Sequence, residues 1–222
     1  MPAHLQPVEA NFPNGPAVGG RLVTFAPGLT LPCAMLTYDA NEEIFAEEEP
    51  TDFVYKVISG TVRTTRLISD GRRQIGAFYM AGDVFGLGSG ALRRFSAEAV
   101  RPSKIAFARR SKLESMADLD GRAARALYAL AAQELDAVQD HMLLLGRKSA
   151  AERVGGFLLT LAQDAPGGVV ELPMSRCDIA DHLGLTLETV SRAFSRLARE
   201  RVITLPNARR VVVRDYAALL AA

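Results

Sequence analysis

The chain has 222 residues, a formal net charge of +1 and 49% hydrophobic residues, enough for one or two domains with buried cores. This near-neutral charge neither indicates nor excludes a nucleic-acid partner. No apolar run approaches the ~20 residues that cross a bilayer. The N-terminus also lacks the basic and apolar segments of a signal peptide. The sequence therefore predicts a cytoplasmic protein that does not bind membranes.

Cysteine and histidine usage limits the possible cofactors. The two cysteines, Cys33 and Cys177, lie far apart, which argues against a disulfide framework, a zinc site or an iron–sulfur cluster held by about four thiolates. His4, His141 and His182 all lie outside the β-rich region described next, so haem has no evident axial ligand there. His141 and His182 are expected on a helix surface or at an interface. With no catalytic triad, metal cluster or P-loop, we predict neither a cofactor nor an enzyme.

The first half of the chain is predicted to be all-β. Residues 1–20 are rich in Pro, Gly and Ala and are expected to form a flexible arm. Residues 21–116 contain short β-like runs without intervening helices, which indicates a barrel or roll. Ser59-Gly60 and Ser69-Asp70-Gly71 are predicted hairpin turns. The predicted strands include Val23–Phe25, Phe53–Ile58, Thr61–Ile68, Gln74–Tyr79 and Lys104–Phe107.

A long helix is predicted from Asp120 to Gly146, within a dimerisation and hinge segment of residues 117–147. One face carries apolar residues at spacings of three and four, typical of a coiled-coil seam: Tyr128, Ala131, Leu135, Val138, Met142 and Leu145. Leu127, Leu130 and Leu144 form a second apolar flank. The alternative, a helix buried only on its own domain, explains one face; two faces favour packing on the roll and on a partner helix.

Residues 148–222 are predicted to form a separate domain around a helix-turn-helix. Ser149 and Glu152 have the spacing of a capping box at a helix start. Further on, Gly184 lies where the chain must turn sharply, and Thr186 is placed to cap the helix that follows. The two helices carry matching apolar positions, which are Ile179, Ala180 and Leu183 in the first and Val190, Phe194 and Leu197 in the second.

The second of these helices has a polar stripe suited to a DNA major groove. Glu188, Ser191 and Arg192 lie near its N-terminus, where residues reach base edges. Arg pairs with guanine, Glu accepts from the cytosine amino group, and Ser is adaptable. Within residues 186–214, seven Arg face two Glu, a local charge of +5. The alternative is a solvated helix face without a binding function, but the apolar pattern and the Gly turn favour a DNA-binding helix.

The segment Leu187–Arg192 resembles the Glu-x-x-Ser-Arg recognition helix of the CRP/FNR family of bacterial transcription regulators. Val202–Thr204, Pro206-Asn207 and Arg209–Val213 are similar to the hairpin wing of its winged helix. In the first half, Ile58–Val62 and Gly82–Gly86 resemble its cyclic-nucleotide-binding β-roll. The resemblance implies an α+β fold with β-roll, long dimerisation helix and winged helix-turn-helix. It also implies a homodimer that binds double-stranded DNA and contacts RNA polymerase.

Family members that bind cAMP carry Gly-Glu and Arg-Ser-Ala in the pocket. Here Leu87 follows Gly86, and Arg94 is one residue out of register before Phe95-Ser96. A one-residue slip in extended chain points a side chain to the opposite face. We therefore expect no cAMP binding. Gly82–Leu87 and Arg94–Ala99 instead resemble the FixK branch of the family. A regulator gated by another small molecule, in an altered pocket around Leu87 and Arg94, is the alternative.

The resemblance implies that Glu188, Ser191 and Arg192 read bases in a palindromic TTGA–TCAA-type site. Leu187, which stands where cAMP-dependent members carry Arg, favours TTGA over TGTGA. Arg209 and Arg210 on the wing are either phosphate contacts or solvated. Contacts to the DNA backbone, which position without specifying, are expected from Arg176, Thr186, Thr189, Ser195, Arg196 and Arg199.

Two further features are open to a functional and a bland interpretation. Cys177 lies beside Arg176 at a helix start, where a thiolate is favoured and oxidation would place negative charge against DNA phosphate; alternatively it is inert, as expected for Cys33. Glu47–Glu49 is an activating patch for RNA polymerase or merely solvated surface. Taken together, the sequence predicts a transcription activator that needs no effector. The remote alternatives are an interaction module with a vestigial DNA domain, and an enzyme.

Overall fold

The computed structural model describes residues 20–88, 90–163 and 165–221. The predicted N-terminal arm, Gly20 apart, and His4 lie outside the described residues. In the part described, no helix combines the length and apolar character needed to cross a membrane.

Seven antiparallel strands form the first domain, with the order β1-β2-β7-β4-β5 along the sheet and β3 and β6 attached to β7 and β4. Strand β7 lies in the middle and pairs with both β2 and β4. The strands are β1 (Arg21–Ala26), β2 (Leu29–Tyr38), β3 (Glu43–Phe45), β4 (Phe53–Leu67), β5 (Arg73–Met80), β6 (Val84–Phe85) and β7 (Ser96–Arg109). The predicted all-β roll is confirmed.

The predicted hairpin turn at Ser59-Gly60 is wrong. Strand β4 continues through it, and the pairing with β7 shifts register on both sides of Ser59. Gly60 has φ of 98°, and a Cβ there would meet the Cα of Ser103 at 2.6 Å. Glycine is therefore needed for a bulge and a close strand approach. The second predicted turn is confirmed, since Gly71 at φ of 83° closes the β4–β5 hairpin.

Two helices follow the roll: α1 (Arg110–Leu119), which the sequence pattern did not predict, and α2 (Gly121–Arg147). Asp120 caps α2 by accepting from the backbone N–H of Arg122. Ala123 and Ala126 of α2 are buried in the β-roll core, and Leu127 and Leu130 pack against the same core. Leu144, near the other end, packs against the C-terminal domain. The predicted second apolar flank thus contacts both domains of its own chain.

The C-terminal domain is a winged helix-turn-helix. Its elements are α3 (Ala150–Gln163), β8 (Val169–Glu171), α4 (Arg176–Leu183), α5 (Leu187–Arg199), β9 (Ile203–Asn207), β10 (Arg210–Val213) and α6 (Tyr216–Ala221). The capping box at the start of α3 is confirmed, because Ser149 N donates to Glu152 Oε2 at 2.7 Å and Glu152 N donates to Ser149 Oγ at 3.3 Å. Strands β9 and β10 form the predicted wing, beside β8.

Candidate nucleic-acid interface

Local capping fixes where the two helices of the helix-turn-helix begin and end. Ser175 and Asp178 form a reciprocal capping box at the start of α4. Gly184 ends α4 in the left-handed region, with φ of 61°. Thr186 then caps α5 by accepting from the N–H of Thr189 at 3.2 Å. Gly184 and Thr186 act as the sequence pattern predicted, so the turn between α4 and α5 is specified locally.

Helix α5 has one buried and one exposed face. Val190, Ala193, Phe194 and Leu197 are buried in the core of the C-terminal domain. The opposite face is solvent-exposed and carries most of the predicted DNA-contacting residues: Glu188, Ser191, Arg192, Ser195, Arg196 and Arg199. The structure thus brings these side chains together on one surface. Thr189 lies at its edge and is partly buried.

The predicted base-reading residues are ready to donate and accept hydrogen bonds. The pKa of Glu188 lies below its usual value because of hydrogen bonds from its own backbone and from Thr186, and Arg192 adds to the effect. Glu188 is therefore an ionised acceptor at neutral pH. Arg192 donates to Thr189 Oγ1 at 3.3 Å on the exposed face. An exposed guanidinium fork can make bidentate contact with guanine.

The residues expected at the DNA backbone are arranged in two ways. Arg196 is exposed and pairs with Glu200 at 2.8 Å, and Ser195 Oγ donates to the carbonyl of Ser191 at 2.9 Å. Arg176, in contrast, folds back over the ring of Phe194, with 3.1 Å from the guanidinium carbon to the ring centroid. Burial lowers the pKa of Arg176 to about 10.

A shallow, open groove of about 740 Å³ follows the exposed face of α5. Its second wall is the start of α3, with Ser149, Ala150 and Ala151. A helix N-terminus carries partial positive charge and favours phosphate. The sequence pattern predicted Ser149 at a helix start but not its position beside α5. The capping box was the available signal, and its position beside α5 depends on tertiary packing.

The two cysteines occupy different environments. Cys33 is buried, and burial raises the pKa of its thiol to about 11, as expected of an inert core residue. Cys177 is exposed in the first turn of α4. It therefore lies on the accessible surface of the helix-turn-helix, beside Arg176.

The interior of the β-roll is filled by aromatic side chains. The ring of Phe85 lies 5.1 Å from Tyr55 and 5.2 Å from Tyr79, and Phe45 lies 5.2 Å from Tyr55. Arg93 is buried among them, with its guanidinium 4.2 Å from the centre of the Phe45 ring. It donates to the carbonyls of Gly86 at 3.2 Å and Phe53 at 2.6 Å.

The cation inside the roll is Arg93, which the sequence pattern did not predict, and not Arg94. Arg94 is exposed, whereas Leu87 packs against the core cluster between the roll and α2. Strand alternation could not have pointed to Arg93, because residues 93–95 precede β7, which begins at Ser96.

The predicted dimer seam on α2 is largely exposed. The side chains of Tyr128, Leu135, Val138 and Met142 are 77%, 56%, 58% and 64% exposed. Ala131 is exposed as well, whereas Leu145 is partly buried. Large apolar side chains that cluster on the surface indicate a binding face.

A β-roll, a long helix and a winged helix-turn-helix, in this order, define a Crp-type DNA-binding architecture. Two family models agree with it: the cyclic nucleotide-binding domain matches residues 35–120, and the Crp-like helix-turn-helix domain matches residues 152–222.

Individual relatives show to which branch of the CRP/FNR family the chain is most similar. The nitrogen fixation regulation protein FixK of Azorhizobium caulinodans is 43% identical over 235 residues, covering 98% of this chain and 95% of that protein. The transcriptional activatory protein AadR of Rhodopseudomonas palustris is 40% identical over 181 residues, covering 79% and 76%. The structure of FixK2 from Bradyrhizobium japonicum has a TM-score of 0.82 and 49% identity, covering 85% of this chain and 96% of that one. The chain belongs to the FixK-like branch of the CRP/FNR family of transcription regulators.

Proposed function

We propose that this protein is a cytoplasmic transcription activator that binds a palindromic TTGA–TCAA-type site as a homodimer. The observation that carries the proposal is the exposed cluster of Glu188, Ser191 and Arg192 on the first turns of the capped helix α5. A major groove admits such a helix, and these three residue types supply donors and acceptors for base edges. The activating role is inferred from the similarity to AadR, the transcriptional activatory protein of Rhodopseudomonas palustris.

Dimerisation is supported by the exposed apolar seam on α2. In a parallel pair of such helices, Leu135, Val138 and Met142 would pack against their counterparts and leave water. Two-fold symmetry would then present two α5 helices to half-sites one helical turn apart. Palindromic recognition follows from that symmetry.

Activity without an effector is supported by the filled β-roll. Tyr55, Phe85 and Arg93 occupy its interior and already interact with each other and with backbone carbonyls. A cyclic nucleotide would have to displace these side chains. The alternative, gating by another small molecule, would show as a ligand-induced rise in melting temperature.

The experiment that tests this function is fluorescence anisotropy with reduced, ligand-free protein at one fixed salt concentration. Tight binding to a TTGA–TCAA palindrome, but not to a scrambled duplex of equal length, is the expected result. Equal and weak binding to both duplexes would contradict the proposal. Fixed salt is essential, because phosphate contacts alone make affinity strongly salt-dependent.

Oxidation of Cys177 is proposed as a means of control. The thiol is exposed at the start of α4, beside Arg176. Conversion to a sulfinic or sulfonic acid by peroxide adds negative charge on the surface proposed to face DNA phosphate. Peroxide should therefore weaken DNA binding of the wild type and leave Cys177→Ser unaffected. Equal inhibition of both proteins would contradict this role, with Cys33→Ser as the matched control.

Contact with RNA polymerase is proposed through Glu47–Glu49 of the β-roll. Glu48 and Glu49 are exposed, whereas Glu47 is partly buried and pairs with Arg66 at 2.8 Å. Neutralising Glu48 and Glu49 should lower transcription from a target promoter while DNA binding stays unchanged. Unchanged transcription would mean that the two residues are only solvated surface.

A further inference from the structure

The β-roll and the DNA-binding domain meet where strand β5 lies along helix α4. Gln74 Nε2 donates to the carbonyl of His182 at 3.4 Å, and His182 Nδ1 lies 3.2 Å from the carbonyl of Ile75. Phe78 packs against His182, with 5.2 Å between ring centroids. These contacts join residues more than a hundred positions apart in sequence, so the sensor-type domain directly supports the first helix of the helix-turn-helix.

Ion pairs dominate one end of this junction. Asp178 of α4 is 5% exposed, and its Oδ1 accepts from Arg73 Nη2 at 2.6 Å and from Arg63 Nη1 at 3.3 Å. Arg73 also pairs with Asp181, one turn further along α4, at 2.7 Å. We call Arg63, Arg73, Asp178 and Asp181 the interdomain clasp. It links β4 and β5 of the roll to α4 through two arginines and two carboxylates.

Each side of the interdomain clasp is held by its own domain. Arg63 is nearly buried, and it donates to Glu98 Oε2 at 2.6 Å and to Asn41 Oδ1 at 3.0 Å. The second oxygen of Asp178 accepts from the N–H and the hydroxyl of Ser175, at 3.0 and 2.8 Å. The carboxylate of Asp178 thus caps the start of α4 and also binds two arginines of the roll. Separating these ion pairs would leave a buried charge without a partner, so a change in the position of α4 relative to the roll is costly.

The position of α4 in turn determines that of the recognition helix. Ile179, Ala180 and Leu183 of α4 share one buried core with Val190 and Phe194 of α5. Packed cores deform little, so α4 and α5 move together. The interdomain clasp leaves the DNA-facing surface open, because Glu188, Ser191 and Arg192 remain exposed. The contact therefore orients α5 without covering it.

We propose that Arg63 and Arg73 are positioning residues for DNA recognition. Through Asp178 and Asp181 they fix the orientation of α5 relative to the roll and to α2, which packs on that roll. In a dimer joined along α2, this orientation sets the distance and angle between the two recognition helices. The interdomain clasp thereby selects one spacing between half-sites. This inference rests on the proposed function, since half-site spacing has meaning only for a dimer on a palindrome.

The test compares full-length variants on a series of palindromes whose central spacer is shortened or lengthened in single base pairs. Arg73→Ala and Asp181→Ala each remove one partner, and Arg73→Lys keeps the charge. Arg66→Ala is the matched control, because Arg66 lies on β4 and pairs with Glu47 of the roll. Melting temperatures report folding. A loss of stability alone lowers the active fraction equally on all spacers, so the ratio of affinities between spacers isolates positioning.

The wild type and Arg66→Ala should strongly prefer one spacer. Arg73→Ala and Asp181→Ala should lower that preference about fivefold or more, a usual size for coupling between sites, while the penalty for a changed half-site base stays as in the wild type. Arg73→Lys should recover part of the preference. A wild-type spacer profile in Arg73→Ala, or tighter binding to the preferred spacer, would overturn the positioning role. A wild type that does not distinguish any palindrome from scrambled DNA would overturn the proposed function and this inference with it.

Discussion

Arg192 and Arg196 lie one turn apart on the exposed face of α5 but are expected to act differently on DNA. Arg192 lies nearer the N-terminus, where side chains reach base edges. Arg192→Gln should therefore cost about 1–3 kcal/mol of binding free energy and relax specificity at one base pair. A set of palindromes with each base pair changed in turn measures both effects.

Arg196→Ala serves as the comparison on the same helix. Arg196 pairs with Glu200 near the C-terminal end of α5 and is predicted to contact phosphate. Its loss should weaken all duplexes alike and lower the slope of affinity against salt by about one. If Arg192→Gln instead weakened every duplex equally, its assignment to base readout would be wrong.

His182 makes stability depend on pH. Burial and the nearby His141, whose ring stacks 4.1 Å away, together lower the pKa of His182 to about 4, although the hydrogen bond to the carbonyl of Ile75 raises it. An unfolded histidine titrates near pH ~6.5, so the unfolded state binds more protons between these values. The contribution of neutral His182 to the free energy of unfolding is thus complete above about pH 6.5. It is lost on acidification, by about 1–2 kcal/mol at pH ~5.

Urea unfolding of the wild type and of His182→Asn at neutral and mildly acidic pH measures this loss. The asparagine amide can still donate to Ile75 but does not titrate, so the variant should show a shallower pH dependence. An equally steep decline in both proteins would mean that other groups cause it. The prediction of a helix-surface or interface role for His141 and His182 is correct as an interface between domains.

At the scale of elements, helix α2 carries the proposed dimer contact. Leu135 is 56% exposed on the seam, and Gln133 lies on nearly the opposite side of the helix and is also exposed. Leu135→Glu should place like charges against each other in a dimer and shift the chain to monomers in analytical ultracentrifugation. Gln133→Glu should remain dimeric. Dimers of equal stability in both variants would place the interface elsewhere.

Elements with strong local signals were predictable from the sequence. Ser149, Thr186 and the left-handed Gly184 fix helix ends by short-range hydrogen bonds and backbone sterics, which a single sequence displays. The bulge at Gly60 was not predictable, because a hairpin turn and a bulge both call for a positive φ at glycine. Only its approach to Ser103, on a distant strand, distinguishes the two.

At the scale of the whole molecule, the sequence predicted the order of the domains but not their junction. The pairs Arg63–Asp178 and Arg73–Asp178 span 115 and 105 residues. No local pattern marks a charged residue for a partner so far along the chain, and surface charges are usually solvated. The same limit explains why Arg93 was missed as the cation inside the roll.

The central claim is that two chains read one palindrome without an effector. The most direct measurement is a stoichiometric titration, followed by anisotropy, of reduced and ligand-free protein on three duplexes of equal length: the TTGA–TCAA palindrome, a single half-site and a scrambled sequence. We predict two chains per palindrome, tight binding to it, and much weaker binding to the half-site. One chain per duplex, or equal affinity for all three, would contradict the account.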